Sequence, residues 1–469
     1  MLFSSILFLF YFLPITLGVY YVIPRKNIKA RNAALLVASL FFYSWGEPVY
    51  ILLMIYSAFL NYYSALQIGR AQEKGKRGKG SMLFALVMNL FVLGFFKYFG
   101  FLMDTFNSVT GMNVHYTSLS LPIGISFYTF QALSYVFDVY RKSVEPQRNF
   151  LRFTLYLSLF PQLIAGPIVK YRDVEEQLSY RSTDWIDFAE GVKRFILGLG
   201  KKVILANNLG ALYTTISALS GSDISVVTYW IGIGAYTLQI YFDFSGYSDM
   251  AIGLGRMFGF EFIENFNYPY ISDSITEFWR RWHISLSSWF REYVYIPLGG
   301  NRVSVPRHIL NMLIVWALTG LWHGASWNFV LWGTYYGVLL IFEKYVLKKY
   351  MDRWPKWVRH LYAIVIVMIG WTFFSITDFT AMKEYFAVMF GVSGHAFANM
   401  KTLYYLRTNG ILFAIAIYLC TPHAMKTFQN HTKGFRGELS GICLLLLIFM
   451  LCIAYLVFGS YNPFLYFRF

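Results

Sequence analysis

The sequence predicts an all-α protein that crosses a membrane many times. Of its 469 residues, 57% are hydrophobic and only 14% are charged, whereas about a quarter of a typical soluble chain is charged. The apolar residues form long unbroken runs, and runs of roughly 18 or more residues are typical of membrane-spanning helices. We therefore predict roughly 11–13 transmembrane helices, with additional re-entrant or interfacial helices.

Turn residues and basic connections divide the chain into candidate spans. Residues 33–66 are too long for one crossing, and Pro48 breaks a helix at the residue before it, so we place two spans there. Segments 121–131 and 160–171 carry proline and glycine in apolar context, which favours re-entrant backbone around a cavity, with kinked helices as the alternative. The candidate spans are 1–22, 33–46, 49–66, 81–104, 121–140, 151–169, 190–217, 226–242, 309–321, 326–346, 359–376, 408–421 and 438–460.

Lysine and arginine concentrate in the short connections between these spans. With a net charge of +16, this follows the positive-inside pattern and places residues 25–31 and 70–79 in the cytoplasm. The same charge favours contact with anionic membrane lipid rather than with nucleic acid.

Residues 241–307 are semi-polar and contain no clear span, so we expect them to lie inside the protein or at the membrane interface. Within this region, the stretch EFWRRWHISLSSW (277–289) concentrates ionisable and aromatic side chains. Read as one helix, it places tryptophans on one face and His283 on another. The simpler interpretations are an aromatic belt for the tryptophans and a basic rim at the lipid headgroups for the arginines.

Local signals support a helix over the same stretch. Glu277 precedes Arg281 by four residues, which predicts an ion pair along the helix. Ser272 or Asp273 is expected to cap the helix start.

A second tryptophan–histidine pair, Trp322–His323, lies in LTGLWHGASWN between two apolar runs. An ionisable side chain at membrane depth is a candidate functional residue, and Gly320 and Gly324 would allow backbone or ligand to approach closely. A lone histidine is more often a structural residue, but two such pairs in polar islands favour a role in proton transfer.

Other chemistries fit the sequence poorly. The chain has no G-x-S-x-G elbow of a serine hydrolase and no Walker A loop of an ATPase. The spacing of His283 and His323 is not that of metal ligands, so we expect no metal.

Several long strings together resemble the membrane-bound O-acyltransferase family, and within it the bacterial alginate O-acetylation branch. They are LPIGISFYTFQALSYVFDVYR, FPQLIAGPI, YFDFSGYSDMAIGLGRMFGFEFIENFNYPY, SITEFWRRWHISLSSWFREYVYIPLGGNR and GLWHGASWNFVLWG. The resemblance implies a single integral-membrane domain over residues 1–469, with helices around a central tunnel and a catalytic region at about 236–335.

The resemblance also implies roles for particular residues. His323 corresponds to the family's essential histidine and would be the general base that takes the proton of the acceptor hydroxyl. His283 would orient the acceptor or stabilise the developing charge. Further side chains would line the site or hold its segment in place: Trp279, Arg280, Arg281, Trp322, Tyr241, Asp243, Ser245 and Asn267.

Donor, partner and location follow from the same resemblance. The acyl donor would be cytoplasmic acetyl-CoA, and its phosphates are expected at Lys193, Arg194, Lys201 and Lys202. A separate extracytoplasmic SGNH-type acetyltransferase would move the acetyl group to a polysaccharide acceptor. The expected location is the plasma (inner) membrane of a bacterium, in contact with membrane lipid.

Three functions remain open from the sequence. The first is O-acetylation of an extracellular or cell-wall polysaccharide. The second is D-alanyl transfer to teichoic acid from a carrier-protein thioester. The third is a non-catalytic polysaccharide transporter, in which the polar island would be a substrate path.

Overall fold

The computed structural model describes residues 1–117, 119–164, 166–459 and 465. These residues form α-helices joined by short connections, and their β-structure is limited to one isolated bridge between Ser225 and Ala396. The all-α prediction is therefore confirmed. In chain order the helices are α1 Leu13–Val22, α2 Ile28–Ser44, α3 Ile51–Glu73, α4 Lys79–Thr110, α5 Ile125–Tyr140, α6 Phe150–Ser158, α7 Phe160–Leu163, α8 Tyr171–Ser179, α9 Trp185–Gly200, α10 Asn207–Ser217, α11 Val226–Met257, α12 Ile275–Arg281, α13 Ile284–Phe290, α14 Val305–His323, α15 Trp327–Phe342, α16 Lys348–Met351, α17 Lys356–Ser375, α18 Phe379–Met389, α19 Met400–Leu419, α20 Pro422–His431 and α21 Gly434–Phe458.

Short π-helical and 3₁₀ segments interrupt or extend these helices. The π-helical segments are Phe8–Phe12, Lys201–Ala206, Arg291–Tyr295 and Glu343–Leu347, and the 3₁₀ segments are Gly221–Asp223 and Pro269–Ile271. The segment Lys201–Ala206 joins α9 to α10, so that residues Trp185–Ser217 form one continuous candidate span.

Five described helical segments are long and apolar enough to cross a membrane, and a sixth crossing results if the bent pair α19–α20 counts as one span. This is fewer than the 11–13 helices predicted. The apolar stretches counted in the sequence include helices that are shorter than a crossing of about 20 residues, such as Phe8–Val22 and the 16-residue α5. The five are Ile51–Glu73, Lys79–Thr110, Trp185–Ser217, Lys356–Ser375 and Gly434–Phe458.

The bounds of other candidate spans agree only in part with the helices of the structure. The division of residues 33–66 is confirmed, because α2 ends at Ser44 and α3 begins at Ile51. The span predicted at 226–242 is too short, since α11 continues to Met257 and carries the YFDFSGYSD segment on a regular helix. The last candidate span, 438–460, ends at residue 460, which lies outside the described residues.

The chain divides into two compact units. The first comprises Met1–Phe195 and Ser248–Glu264, and the second comprises Ile196–Tyr247 and Asn265–Phe469. The single domain expected over residues 1–469 stays a prediction.

In the first unit, a polar pair joins two of the spanning helices. Asn61 of α3 donates to Asn89 Oδ1 at 3.1 Å, and Asn89 of α4 donates to Asn61 Oδ1 at 2.8 Å. Both side chains are buried. Reciprocal amide bonds of this kind hold membrane helices together because lipid offers no competing partner.

The irregular backbone predicted at 160–171 is present and buried. Between residues 160 and 170, the described helical structure is the single turn Phe160–Leu163, and Ala165 lies outside the described residues. Tyr156 donates its hydroxyl to Val169 O at 3.0 Å, and Gln162 donates to Tyr156 O. These bonds satisfy backbone carbonyls that have no donor within a helix, which is a requirement for irregular backbone inside a membrane. The prediction for 121–131 holds only up to Gly124, because α5 begins at Ile125.

Glycines allow α9 and α11 to touch backbone to backbone. In the first unit, a Cβ added to Gly253 would lie 2.6 Å from Gly191 O, and in the second, a Cβ added to Gly246 would lie 2.7 Å from Gly198 O. Both distances are shorter than real Cβ contacts, so only glycine fits at 246 and 253 without a shift of the backbone.

Candidate active site

The stretch 277–289 is not one helix. Helix α12 ends at Arg281 and α13 begins at Ile284, with His283 between them in the left-handed region at φ +46°. Residues 265–267 supply the hydrogen bonds at this break, since Arg281 O accepts from Asn267 N at 2.9 Å and Ile284 N donates to Asn265 O at 3.0 Å. The prediction of a continuous helix is therefore wrong, because a second backbone segment replaces the helical partners.

The tryptophans of this stretch point to different neighbours. The ring of Trp279 lies 4.7 Å from that of Trp316, whereas the ring of Trp282 lies 4.9 Å from that of Trp371. Trp279, Trp282 and Trp289 are only 9%, 2% and 5% exposed. They pack inside the protein, so neither the common helix face nor the lipid-facing aromatic belt is correct.

One serine side chain and one carboxylate fix the start of α12. The helix is capped by Ser274, which accepts from Glu277 N at 3.1 Å, and not by Ser272 or Asp273 as predicted. Glu343, a buried residue distant in sequence, accepts from Ile275 N at 2.8 Å and Thr276 N at 2.9 Å. A carboxylate at free N–H groups of a helix start is strongly stabilising.

The predicted ion pair between Glu277 and Arg281 is confirmed at 2.8 Å. Arg281 also donates to Asn267 O at 3.1 Å. Arg281 therefore holds α12 to the segment before it.

Asn265 determines which nitrogen of His283 carries the proton. Asn265 Oδ1 accepts from Ser285 N at 3.2 Å, so this atom must be the amide oxygen, and it also accepts from Ser285 Oγ at 2.9 Å. His283 Nδ1 lies 3.1 Å from the same oxygen. Because a carbonyl oxygen only accepts, Nδ1 is the protonated nitrogen, and Nε2 of the neutral ring keeps its lone pair.

The surroundings of His283 keep its ring neutral. The residue is 1% exposed, and its ring lies 4.7 Å from Phe244 and 5.8 Å from Trp322. Burial lowers the pKa of the His283 imidazole to about 3 because a charged ring would lose its hydration. A neutral imidazole with a lone pair on Nε2 can accept a hydrogen bond.

His323 is the last residue of α14 and is enclosed by aromatic rings. It is 4% exposed, and its ring lies 5.0 Å from Trp322, 4.9 Å from Trp332 and 5.4 Å from Phe374. Since both histidines contact Trp322, the structure brings the two tryptophan–histidine pairs of the sequence together around one indole.

The glycines beside His323 serve helix packing. A Cβ at Gly320 would overlap Phe329 O, and a Cβ at Gly324 would overlap the Phe329 ring. The close approach expected at these glycines is therefore that of α15 and its first turn, and not of a ligand.

A cavity of about 620 Å³ reaches His283, within the range of about 300–1,000 Å³ that is usual for ligand pockets. His283 lies in its wall, and so do Trp279 and Arg280, whereas His323 is not among its described lining residues. The lining carries five cations and three carboxylates. The cations are Arg280, Arg291, Lys344, Lys348 and Arg359, and the carboxylates are Asp273, Glu343 and Asp352.

Most of these charged residues were missed by the sequence analysis, and so was His308, which also lines the cavity. Tyr295 OH and Lys344 Nζ lie 2.7 and 3.3 Å from His308 Nε2, and Tyr345 OH lies 2.7 Å from His308 Nδ1. Lys344 can only donate, so Nε2 accepts and Nδ1 donates to Tyr345. The basic run between 344 and 359 was the available signal, because it flanks a predicted span.

In the part of the chain described, four other predicted site residues do not line the cavity. The ring of Tyr241 lies 5.3 Å from that of Tyr270, and Ser245 is buried. Asp243 is buried and pairs with Lys202 at 2.7 Å. Asn267 is exposed and takes part through its backbone.

The cations predicted to bind CoA are engaged elsewhere. Arg194 pairs with Asp249 at 2.9 Å and Glu264 at 2.5 Å, and Lys193 pairs with Glu190 at 3.2 Å. Lys202 holds Asp243 in the interior. For these residues and Lys201, CoA binding stays a prediction. Among the described residues, no group of three or more His, Cys, Asp or Glu side chains could hold a metal ion.

Comparison with known proteins places the chain in a family. Residues 86–382 match the model of the membrane-bound O-acyltransferase family. The chain is 43% identical to a probable alginate O-acetylase of Azotobacter vinelandii, over 86% of this chain and 80% of that protein. It is 32% identical to a peptidoglycan O-acetyltransferase of Helicobacter pylori, over 100% of this chain and 98% of that protein.

A further relative, a teichoic acid D-alanyltransferase of Bacillus subtilis, is 29% identical over 54% of this chain and 68% of that protein. These relatives share acyl transfer although their named acceptors differ. The chain is thus an acyltransferase that crosses the membrane several times, and it belongs to the membrane-bound O-acyltransferase family.

Proposed function

We propose that this protein transfers an acetyl group from cytoplasmic acetyl-CoA for the O-acetylation of a bacterial extracellular or cell-wall polysaccharide. The observation that carries the proposal is the cavity with a basic lining that ends at the neutral His283 ring. The relatives named as alginate and peptidoglycan O-acetyltransferases support the acetyl group and the polysaccharide. Cytoplasmic acetyl-CoA requires the plasma (inner) membrane as the location.

The cations of the cavity lining are better placed to bind an acyl-CoA than the cations chosen from the sequence. CoA is a polyanion, and Arg280, Arg291, Lys344 and Lys348 are exposed cations in the cavity lining. Exposed arginine and lysine side chains bind phosphates by charge-assisted hydrogen bonds. By the positive-inside pattern, this mouth faces the cytoplasm.

The two histidines divide the work in this proposal. His323 acts as the general base that takes the proton of the acceptor hydroxyl, whose oxygen attacks the thioester carbonyl. The new C–O bond forms, the C–S bond breaks, and the CoA thiolate leaves and takes up a proton. His283 accepts a hydrogen bond at Nε2, the atom that Asn265 leaves with a lone pair, and orients the reacting group.

The polysaccharide lies on the outer side of the membrane, so a further protein is needed to carry the acetyl group to it. We propose a separate extracytoplasmic SGNH-type acetyltransferase as this partner. Co-purification of an extracytoplasmic esterase-like protein with the full chain would support it, and acetylation of the glycan by the purified chain alone would contradict it.

The test compares envelope glycans of the native host with the wild-type chain and with His323→Ala at matched protein levels. Base-releasable acetate and D-alanine are measured on each glycan fraction. His423→Ala is the control, because His423 is exposed and lies outside the cavity lining. We expect the glycan acetate to be lost in His323→Ala and to be kept in the wild type and in His423→Ala.

The alternatives give different results in the same experiment. Loss of D-alanine alone would support the D-alanyl transfer named for the Bacillus subtilis relative. A transporter would tolerate His323→Gln, which cannot act as a base. Full acetyl transfer by His323→Gln would therefore overturn the role of His323 and favour transport.

A further inference from the structure

An apolar groove of about 660 Å³ runs between α1 and α2 in the first unit. Small side chains, among them Thr16, Ala34 and Ala38, lie along it, and the larger Tyr11, Ile15 and Phe41 form its sides. Tyr11, Ile15 and Phe41 are 60%, 64% and 50% exposed. In a membrane-spanning chain, such exposed apolar surface faces lipid.

Three cations lie at the end of this groove where α1 and α2 are joined. Arg25 and Lys26 are exposed in the connection, and Lys29 is exposed on the first turn of α2. Lys29 precedes the groove residue Ala33 by four positions, so it lies on the same helix face one turn away.

No carboxylate is available to neutralise these cations nearby in the chain. The first acidic residue of the sequence is Glu47, and in the described part of the chain no ion pair is formed by Arg25, Lys26 or Lys29. The fourth basic residue, Arg31, turns inward and donates to Ile23 O at 3.1 and 2.9 Å. Arg31 thus fixes the connection, whereas the other three cations are exposed at the surface.

The groove has the dimensions of one acyl chain. Its α2 side extends from Ala33 to Trp45, a rise of about 18 Å at 1.5 Å per residue. One leaflet of the hydrocarbon core is about 15 Å thick, half of the roughly 30 Å of the bilayer. An acyl chain in the groove would therefore bring its headgroup to the level of the cations.

We propose that this groove is a binding site for an anionic phospholipid. One acyl chain lies between α1 and α2 over Ala34 and Ala38, and the phosphate is bound by Arg25, Lys26 and Lys29. Lipid binding of this kind needs both parts, because the apolar groove alone would accept the tail of any lipid and the cations supply the selectivity.

The experiment uses the purified full chain in nanodiscs with equal amounts of phosphatidylglycerol and phosphatidylcholine. Native mass spectrometry counts the lipids that stay bound after release from the disc. Two variants remove one part of the site each. Ala38→Trp fills the groove, and the triple variant Arg25→Gln, Lys26→Gln and Lys29→Gln removes the charge.

Each variant has a matched control. Gly18→Leu adds bulk to α1 where an added Cβ meets nothing within 4 Å. The triple variant Lys74→Gln, Lys76→Gln and Arg77→Gln removes three exposed cations from another connection. Thermal unfolding of every variant shows whether it is folded.

The wild type should retain phosphatidylglycerol over phosphatidylcholine by roughly a hundredfold, at about 1 kcal/mol for each of three cations. The charge variant should lose this preference, Ala38→Trp should lose the bound lipid, and both controls should behave as the wild type. Equal retention of the two lipids by the wild type would overturn the proposal. So would an equal loss in the controls, or a second copy of the chain bound at this face in place of lipid. If Ala38→Trp does not fold, the surface charge variant alone decides.

Discussion

Asn265 offers a sharp test of the candidate site, because one oxygen sets both the position and the tautomer of His283. Asn265→Leu keeps the size of the side chain and removes that oxygen. The Ser285 hydroxyl can rotate to another partner, but Ser285 N–H and His283 Nδ1–H are fixed donors in a buried site. At about 1–3 kcal/mol for each buried donor left unsatisfied, the variant should lose roughly 2–6 kcal/mol of stability.

The effect on activity follows from the tautomer. A hydrogen bond of about 1.4 kcal/mol favours the Nδ1-protonated ring by roughly tenfold, so its loss should lower kcat by up to about tenfold through the tautomer alone. Misorientation of the ring adds to this loss. The assay is release of the CoA thiol from acetyl-CoA by the purified protein in liposomes, at a temperature where the variant is folded. Asn430→Leu, at an exposed asparagine, is the control.

Asn265→Asp gives the complementary result. It keeps an acceptor oxygen, but its charge would raise the pKa of His283 from the value of about 3 that burial produces. His283 would then become protonated at a higher pH, and below that pH its Nε2 could no longer accept the hydrogen bond that orients the reacting group. The acid limb of the kcat profile should therefore shift to higher pH. Wild-type kcat and pH dependence in both Asn265 variants would refute the reasoning.

Further predictions concern the helix start, the cavity and the helix contact. Glu343→Gln should lower the melting temperature and the activity together, because a neutral amide oxygen accepts the N–H groups of α12 more weakly than a carboxylate; an unchanged melting temperature would contradict this role. Lys344→Gln with Lys348→Gln should raise KM for acetyl-CoA severalfold with little change in kcat, and more so at low salt, whereas Lys426→Gln should change neither. Gly246→Val should fail to give folded protein in size-exclusion chromatography, because its side chain would meet a backbone carbonyl; a monodisperse, stable variant would contradict the close contact.

Sequence reasoning found the two histidines because each stands beside a tryptophan in a polar island of an apolar chain. The same reasoning could not find the break between α12 and α13. The tryptophans are spaced by three and four residues, and this spacing predicts a helix whether or not the chain turns at His283. The break depends on Asn265 and its neighbours, and nothing in the local pattern shows that this segment would pair with Arg281 O and Ile284 N.

The cavity charges were missed for a related reason. Arg280, Lys344 and Arg359 come from separate parts of the chain, and only the fold brings them together. The cations predicted to bind CoA lie within residues 193–202. Nothing in the sequence of that stretch shows that Asp249 and Asp243 form ion pairs with two of them. Composition and hydrophobic runs sufficed for the fold class, but not for the bounds of the individual helices, because an apolar stretch does not show where its helix stops.

At His283 a left-handed backbone carries a buried, hydrogen-bonded imidazole. A residue at φ +46° bears a steric cost that asparagine and glycine bear more easily. His283→Asn should therefore relax the backbone while it removes the imidazole that faces the cavity. The same change also removes the buried ring contacts with Phe244 and Trp322 and the hydrogen bond to Asn265 Oδ1, so the melting temperature of His283→Asn reports whether backbone strain or ring packing dominates at this position.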